Sequence, residues 1–305
     1  LNFMNYIISI LALLSCLWLE SAPLSILVGI FIAYVLNLPE DFYTKAIGTR
    51  VLQTGIVFLG GSISINQAME ITGSYFPWVS LFVLATFSLG IILGIAFGVK
   101  KKQSYLLAAG TAICGGTAMA TIAPVMKAKS NELTTALCIV FLLNAFAVVV
   151  FPFLNNYLQL SEESFGAWAA LAIHDTASVV GAASAVGNTA VDFAATLKVG
   201  RTFWIIPLVI FTAWYFKEKR ETFGLPLFVL LFIGAIFLNY LFSFPVEVTS
   251  FLKSINKGCL IVGLFCIGTQ IDKEALKNIS IKPVMQAVSL WIIVIITSLA
   301  VLTQT

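Results

Sequence analysis

Two short stretches hold most of the polar chemistry inside the apolar part of this chain. One reads Thr111-Ala112-Ile113-Cys114-Gly115-Gly116-Thr117, the other His174-Asp175-Thr176-Ala177-Ser178. A Gly-Gly pair is a poor place for a continuous helix, since each Gly costs about 1 kcal/mol relative to Ala. A break there frees the backbone N–H groups of Gly116, Thr117 and Ala118 to open a half-helix, whose start attracts anions. Pro124 weakens the far end. In the second stretch, a carboxylate beside an imidazole can exchange a proton near neutral pH, or fix a hydrogen bond to a substrate oxygen. Ionisable residues within a membrane span mark functional sites by default. The predicted substrate-binding set is therefore Thr111, Cys114, Gly115, Gly116, Thr117, His174, Asp175 and Ser178, with His174 and Asp175 carrying ion or proton coupling. Lys198 and Arg201 either guide an anion electrostatically or snorkel at an interface. The competing readings are close helix packing through the small residues, and an interfacial position for His174-Asp175.

The elements that position these residues are membrane spans. Of the 305 residues, 60% are hydrophobic and 10% charged, and the mean hydropathy is +1.01. A soluble domain has about 45–50% apolar and about 25% charged residues, so the composition excludes a soluble globule. At ~20 residues per span, there is room for about ten to twelve spans. The net charge of +3 is too small to argue for nucleic acid. The five cysteines show no CxxC or secreted-scaffold spacing, and a single histidine excludes any metal site that needs two. No cofactor is expected. The apolar run Phe3 to Leu19 lacks a basic leader and a cleavage signal, so it reads as a membrane helix.

Apolar runs with charged or Pro/Gly punctuation predict segments at 4–19, 23–38, 47–66, 75–98, 104–126, 132–155, 164–188, 200–216, 224–242, 255–271 and 283–303. This is an all-α polytopic membrane protein of about 9–11 segments. The segments 104–126 and 164–188 are interrupted. They either cross as broken helices or enter and leave as re-entrant hairpins from opposite faces. Basic groups at Lys45 and Arg50, Lys100 to Lys102, Lys217, Lys219 and Arg220, and Lys273, Lys277 and Lys282 place the N-terminus inside and the C-terminus outside. An internal repeat relates the spans of 22–98 to those of 224–303. Ala22-Pro23-Leu24, Asn37 and Pro39 answer to Leu225-Pro226-Leu227, Asn239 and Pro245. The stretch from Gly55 to Ser62 answers to Val262 to Thr269, and Ala68-Met69 to Ala275-Leu276. Seven segments separate the copies, so the repeat is inverted in the membrane, an architecture of secondary transporters.

Enzyme chemistry lacks its signatures. The single histidine excludes HExxH, and Gly181-Ala182-Ala183-Ser184-Ala185 does not match GxSxG. There is no P-loop for ATP-driven pumping and no filter repeat for a channel.

At these blocks the chain resembles the YeiH-like bacterial inner-membrane proteins, labelled as sulfate exporters. The resemblance rests on Thr111 to Gly116 with Ala123 to Ala128, on Ile173 to Val180, on Lys198, Arg201 and Pro207, and on Gly55 to Gln67 and Gly268 to Pro283. It covers residues 23 to 303. It implies a small inorganic or organosulfur anion as substrate, and a scaffold against which a core moves, as in cation/proton antiporter and bile-acid symporter folds. It also implies a homodimer in the bacterial inner membrane. Three positions depart: Asp175 where the family often has Glu, Ser178 where it often has Gln, and Ser62 to Ser64 where it has an Arg. The shorter acid and the missing cation bear on which ligand is selected. The resulting expectation is a secondary-active transporter of a small anion such as sulfate, a sulfur oxyanion or a sulfonate, coupled to H⁺ or to Na⁺ through carbonyls at the breaks.

Overall fold

The computed structural model describes residues 3–20, 22–36, 38, 43–63, 65–216, 227–270 and 279–302. Their regular structure is helical throughout: α1 (Phe3–Trp18), α2 (Ala22–Leu36), α3 (Tyr43–Gly60), α4 (Ile65–Ala96), α5 (Lys101–Ala112), α6 (Gly116–Val125), α7 (Ser130–Leu158), α8 (Glu162–Ala172), α9 (Thr176–Ser184), α10 (Asn188–Thr202), α11 (Ile205–Phe216), α12 (Leu227–Phe242), α13 (Val246–Gly268) and α14 (Ile281–Leu302). Five stretches are long and apolar enough to cross a membrane: Tyr75–Ala96, Asn131–Leu158, Asn188–Phe216, Val246–Gly268 and Ile281–Leu302. Shorter apolar helices lie in α1, α2 and α12. The basic residues Lys217, Lys219, Arg220, Lys273 and Lys277 lie outside the described residues, as do the repeat positions Asn37, Pro39, Leu225, Pro226, Ala275 and Leu276 and the family position Ser64.

Two boundaries differ from the sequence reading. The fourth span starts at Tyr75 as predicted, although its helix begins at Ile65; the tenth begins at Val246 rather than 255. The segment read as 200–216 begins at Asn188, bends at Phe203-Trp204 and ends at Phe216. Pro207 explains the bend. It has no N–H to give to Phe203, and its ring crowds that carbonyl, so Ile206 N–H bonds Phe203 O instead at 3.1 Å.

The helices sort into two bundles. In one, α13 packs on α3 and α2, with α1 and α12 alongside. In the other, α4–α11 and α14 enclose the two interrupted segments. Small residues set the closest approaches, as expected where packing rather than water exclusion holds helices together. A Cβ placed on Gly55 would lie 2.6 Å from Cys259 Cβ, and one on Gly48 2.7 Å from Cys266 Cβ, so α3 and α13 run antiparallel in near-backbone contact. A Cβ on Gly90 would lie 2.6 Å from Ala108 Cβ, between α4 and α5. Gly90→Val is therefore expected to force these helices apart and cost about 1–3 kcal/mol. A thermal melt of the purified protein should show the lowered midpoint.

The contact between bundles is thinner and falls mainly where α9 and α7 meet α13 and α2. Asp192 of α10 crosses it to Lys253 of α13 at 2.9 Å. Lys253 lies ahead of the predicted start at 255 and Lys257 just inside it; both sit within α13 with acidic partners. Lys257 pairs with Glu20 in the α1–α2 turn.

Candidate functional site

Both interrupted segments fold back on themselves as helical hairpins. At the open end of the first, Lys102 Nζ at the start of α5 donates to Lys127 O just past α6 at 2.8 Å. Nearer its tip, the Met119 side chain lies against Gly110. The chain thus goes in along α5 and returns along α6 to the same end. In the second, Glu162 at the start of α8 accepts from Thr189 N and Ala190 N at 2.9 and 3.3 Å, just beyond the end of α9.

The long helix α10–α11 shows that the hairpins enter from opposite ends. Its start is capped by Glu162, and Lys198 reaches the carbonyls at the far end of α8, so α8 runs parallel to it. Tyr105 of α5 meets Thr212 near its other end, O to O 2.7 Å, and Lys101 Nζ stands 4.3 Å over the Tyr215 ring. The α5–α6 hairpin therefore enters from the Lys100 end, and the α8–α9 hairpin from the Glu162 end.

The tips touch. Gly115 has φ +63°, a conformation that suits glycine, and a Cβ there would lie 3.3 Å from Asp175 N and from His174 C. Asn144, midway along α7 (Ser130–Leu158), contacts the same point, which places it at mid-depth. The paired Gly115-Gly116 and the His174-Asp175 break are thus brought together as the sequence predicts.

The ends of α5 and α8 and the start of α9 have side-chain partners at this junction. The last carbonyls of a helix lack intrahelical donors. Here Lys198 Nζ donates to Ile173 O at 2.6 Å and to Ala170 O at 3.3 Å. Arg201 donates to Ala170 O and Leu171 O at 2.5 and 2.8 Å, and Trp291 Nε1 to Ala172 O at 2.9 Å. Arg201 also reaches across to the first hairpin, donating to Thr111 O at 3.0 Å and to Ala112 O. Both cations are fully buried within the bundle. This corrects the reading that they precede a span and snorkel at an interface. They are tethered cations on the negative ends of α5 and α8.

Asp175 is the N-cap of α9. Its Oδ1 accepts from Ser178 N at 2.8 Å, and its Oδ2 from Ser178 Oγ at 2.7 Å and from Asn144 Nδ2. A carboxylate at a helix start satisfies an otherwise orphaned N–H and favours the positive end of the dipole. Because Asn144 presents its NH₂ to a carboxylate that accepts, its Oδ1 faces His174 and takes two contacts at 3.1 Å, from the backbone N–H and from Nδ1. His174 Nδ1 must then carry the proton, leaving Nε2 as a bare acceptor. That atom is buried with no hydrogen-bond partner among the described residues, as is Thr111 Oγ1.

Cys114 and Ser178 are buried beside the tips, while Gly116, Thr117 and Asp175 are half-buried. The head of α6 carries no acidic cap; Met119 N–H is its first bond back, to Gly115 O at 3.2 Å. Two contributors escaped the sequence reading. Asn144 left a trace, as a lone amide in a long apolar run; Trp291 did not stand out among six tryptophans.

With this geometry in view, the comparisons with known proteins place the chain. A family model described as conserved hypothetical protein 698 matches residues 2–287. A UPF0324 membrane protein of Vibrio vulnificus is 37% identical over 298 residues, covering 95% of this chain and 96% of that protein. The chain belongs to the UPF0324 membrane protein family. A UPF0324 protein of Porphyromonas gingivalis is 38% identical over 288 residues, covering 93% of this chain and 87% of its own length. One of Geobacter sulfurreducens is 38% identical over 286 residues, covering 93% and 91%. No solved structure matches. The UPF0324 assignment agrees with the family resemblance drawn from the two polar blocks, and with a multi-pass membrane protein.

Proposed function

We propose that this protein is a secondary-active transporter of a small anion of the sulfur oxyanion or sulfonate class. The observation that carries the reading is the charge arrangement where the hairpin tips meet. Two buried cations offset two helix C-termini, and one carboxylate offsets the start of α9. Among the described residues the positive start of α6 has no acidic hydrogen-bond partner. The centre is therefore net positive in a chain that is otherwise apolar at this depth, and a small anion completes it. Thr111, Cys114, Thr117 and Ser178 would add neutral contacts.

Alternating access would come from the bundle holding the hairpins moving against the bundle of α1–α3, α12 and α13, across the Asp192–Lys253 contact. The two sequence stretches matched by the inverted repeat, Gly55 to Ser62 and Val262 to Thr269, lie on α3 and α13, which pack antiparallel. That, with hairpins from opposite ends, supports an inverted repeat. For coupling, Lys198 and Arg201 already occupy the break carbonyls that Na⁺ would need, which favours H⁺. In this reading the proton is carried at the His174–Asp175 pair. In the same reading the chain works as a homodimer in the bacterial inner membrane.

Anion binding tests this reading without flux. Sulfate, sulfite, thiosulfate and methanesulfonate should be titrated into purified protein at constant Na⁺ and ionic strength. At least one should raise the melting midpoint saturably, as ligand binding to the folded state requires. No shift from any of them, or equal shifts from all with chloride included, would contradict it.

A further inference from the structure

A cavity of about 290 Å³ opens at the Lys100 end, where α4 hands over to α5 and where α7 and α14 begin. Its wall includes Lys100, Gln103, Asn131, Glu132 and Lys282. Both lysines are exposed, and among the described residues neither pairs with an acid. The carboxylate in the wall, Glu132, is engaged by Lys129 N–H at 2.9 Å. Gln103 is only 9% exposed, lines the cavity and makes no hydrogen bond among the described residues. Its amide reaches the cavity rather than the packed interior, and so offers two donors and an acceptor to whatever fills it. The start of α5 at the same place has no side-chain cap on its N-terminal N–H groups, so the positive end of its dipole faces this region. Lys101 and Lys102 belong to other contacts, on the Tyr215 ring and on Lys127 O.

Two exposed ammonium groups with no acidic partner among the described residues, an amide in the cavity wall and an uncapped helix start make up the chemistry that holds a tetrahedral anion. We propose that this cavity binds a phosphate group, carried by an anionic phospholipid headgroup or free in solution. The surroundings suit a lipid: running away from the cavity, α14 exposes Met285, Ile292 and Ile296, by 43%, 47% and 60%, as a track for acyl chains. Basic pockets between spans on a positively charged membrane face bind such headgroups. The site lies apart from the hairpin tips, so it stands or falls independently of the transport reading.

The test is native mass spectrometry of the full chain released from nanodiscs of equal phosphatidylglycerol and phosphatidylcholine. Phosphatidylglycerol should be retained preferentially, and K100A/K282A should lower that retention about tenfold or more. Gln103→Leu should lower it without changing charge, which covers the case where the double variant folds poorly. Lys101→Ala removes a charge from the same end and should leave retention unchanged. A melting shift with inorganic phosphate that the double variant loses, without lipid preference, identifies the free anion as the source. Equal retention of both lipids with no phosphate shift overturns the proposal, as does a loss with Lys101→Ala equal to that of the double variant.

Discussion

Replacing Arg201 by methionine is expected to cost this protein much of its stability. The guanidinium donates to Leu171 O in one hairpin and to Thr111 O and Ala112 O in the other, and it shares Ala170 O with Lys198. Removing it leaves two buried carbonyls and one partly buried carbonyl without that donor, at about 1–3 kcal/mol for each buried one. The upper end of that cost reaches the lower end of the net stability of a folded protein, about 5–15 kcal/mol. Arg201→Lys should rescue little, because one ammonium lacks the fork of donors that bridges both hairpins. Size-exclusion chromatography with a thermal melt reads the outcome. A monodisperse Arg201→Met protein melting near the wild type would show that the tips are held by something else.

Asp175→Asn should separate function from folding. Asn is as good an N-cap as Asp, so the α9 start survives and stability should change by about 1 kcal/mol or less. The charge and its contacts with Ser178 and Asn144 are altered, so transport should fall about tenfold or more, the scale of one hydrogen bond to a charged group. His174→Ala should keep Asp175 as the cap but remove the imidazole of the pair, and with it the pH dependence of transport. Normal flux with unchanged pH dependence in both variants would remove them from the coupling step.

The breaks were legible because they violate the surrounding pattern. A Gly-Gly pair and a His-Asp pair inside apolar runs have few structural uses at membrane depth, where irregular backbone must be buried in protein or line a cavity. Whether these segments fold back as hairpins or cross as broken helices was not legible. It depends on which ends meet, and Lys102 with Lys127 and Glu162 with Thr189 meet only in three dimensions. Lys198 and Arg201 were misplaced because 188–202 carries Asp192, Lys198 and Arg201 among small residues, and so reads as a loop before a span. The carbonyl ends they serve belong to other helices. The same holds for Lys253, whose partner Asp192 is 61 residues away. Charges that are paired across helices look like loop charges to any reading along one chain.

The central claim is saturable, gradient-driven anion transport through the junction of the hairpin tips. The direct measurement is uptake by purified protein in proteoliposomes, with labelled sulfate, sulfite, thiosulfate and small sulfonates offered under separate pH and Na⁺ gradients. The expected result is saturable accumulation of at least one anion, driven by the pH gradient, indifferent to Na⁺ and reduced in Asp175→Asn. Flux that does not saturate and ignores both gradients, or no uptake of any of these anions above empty liposomes, would contradict it.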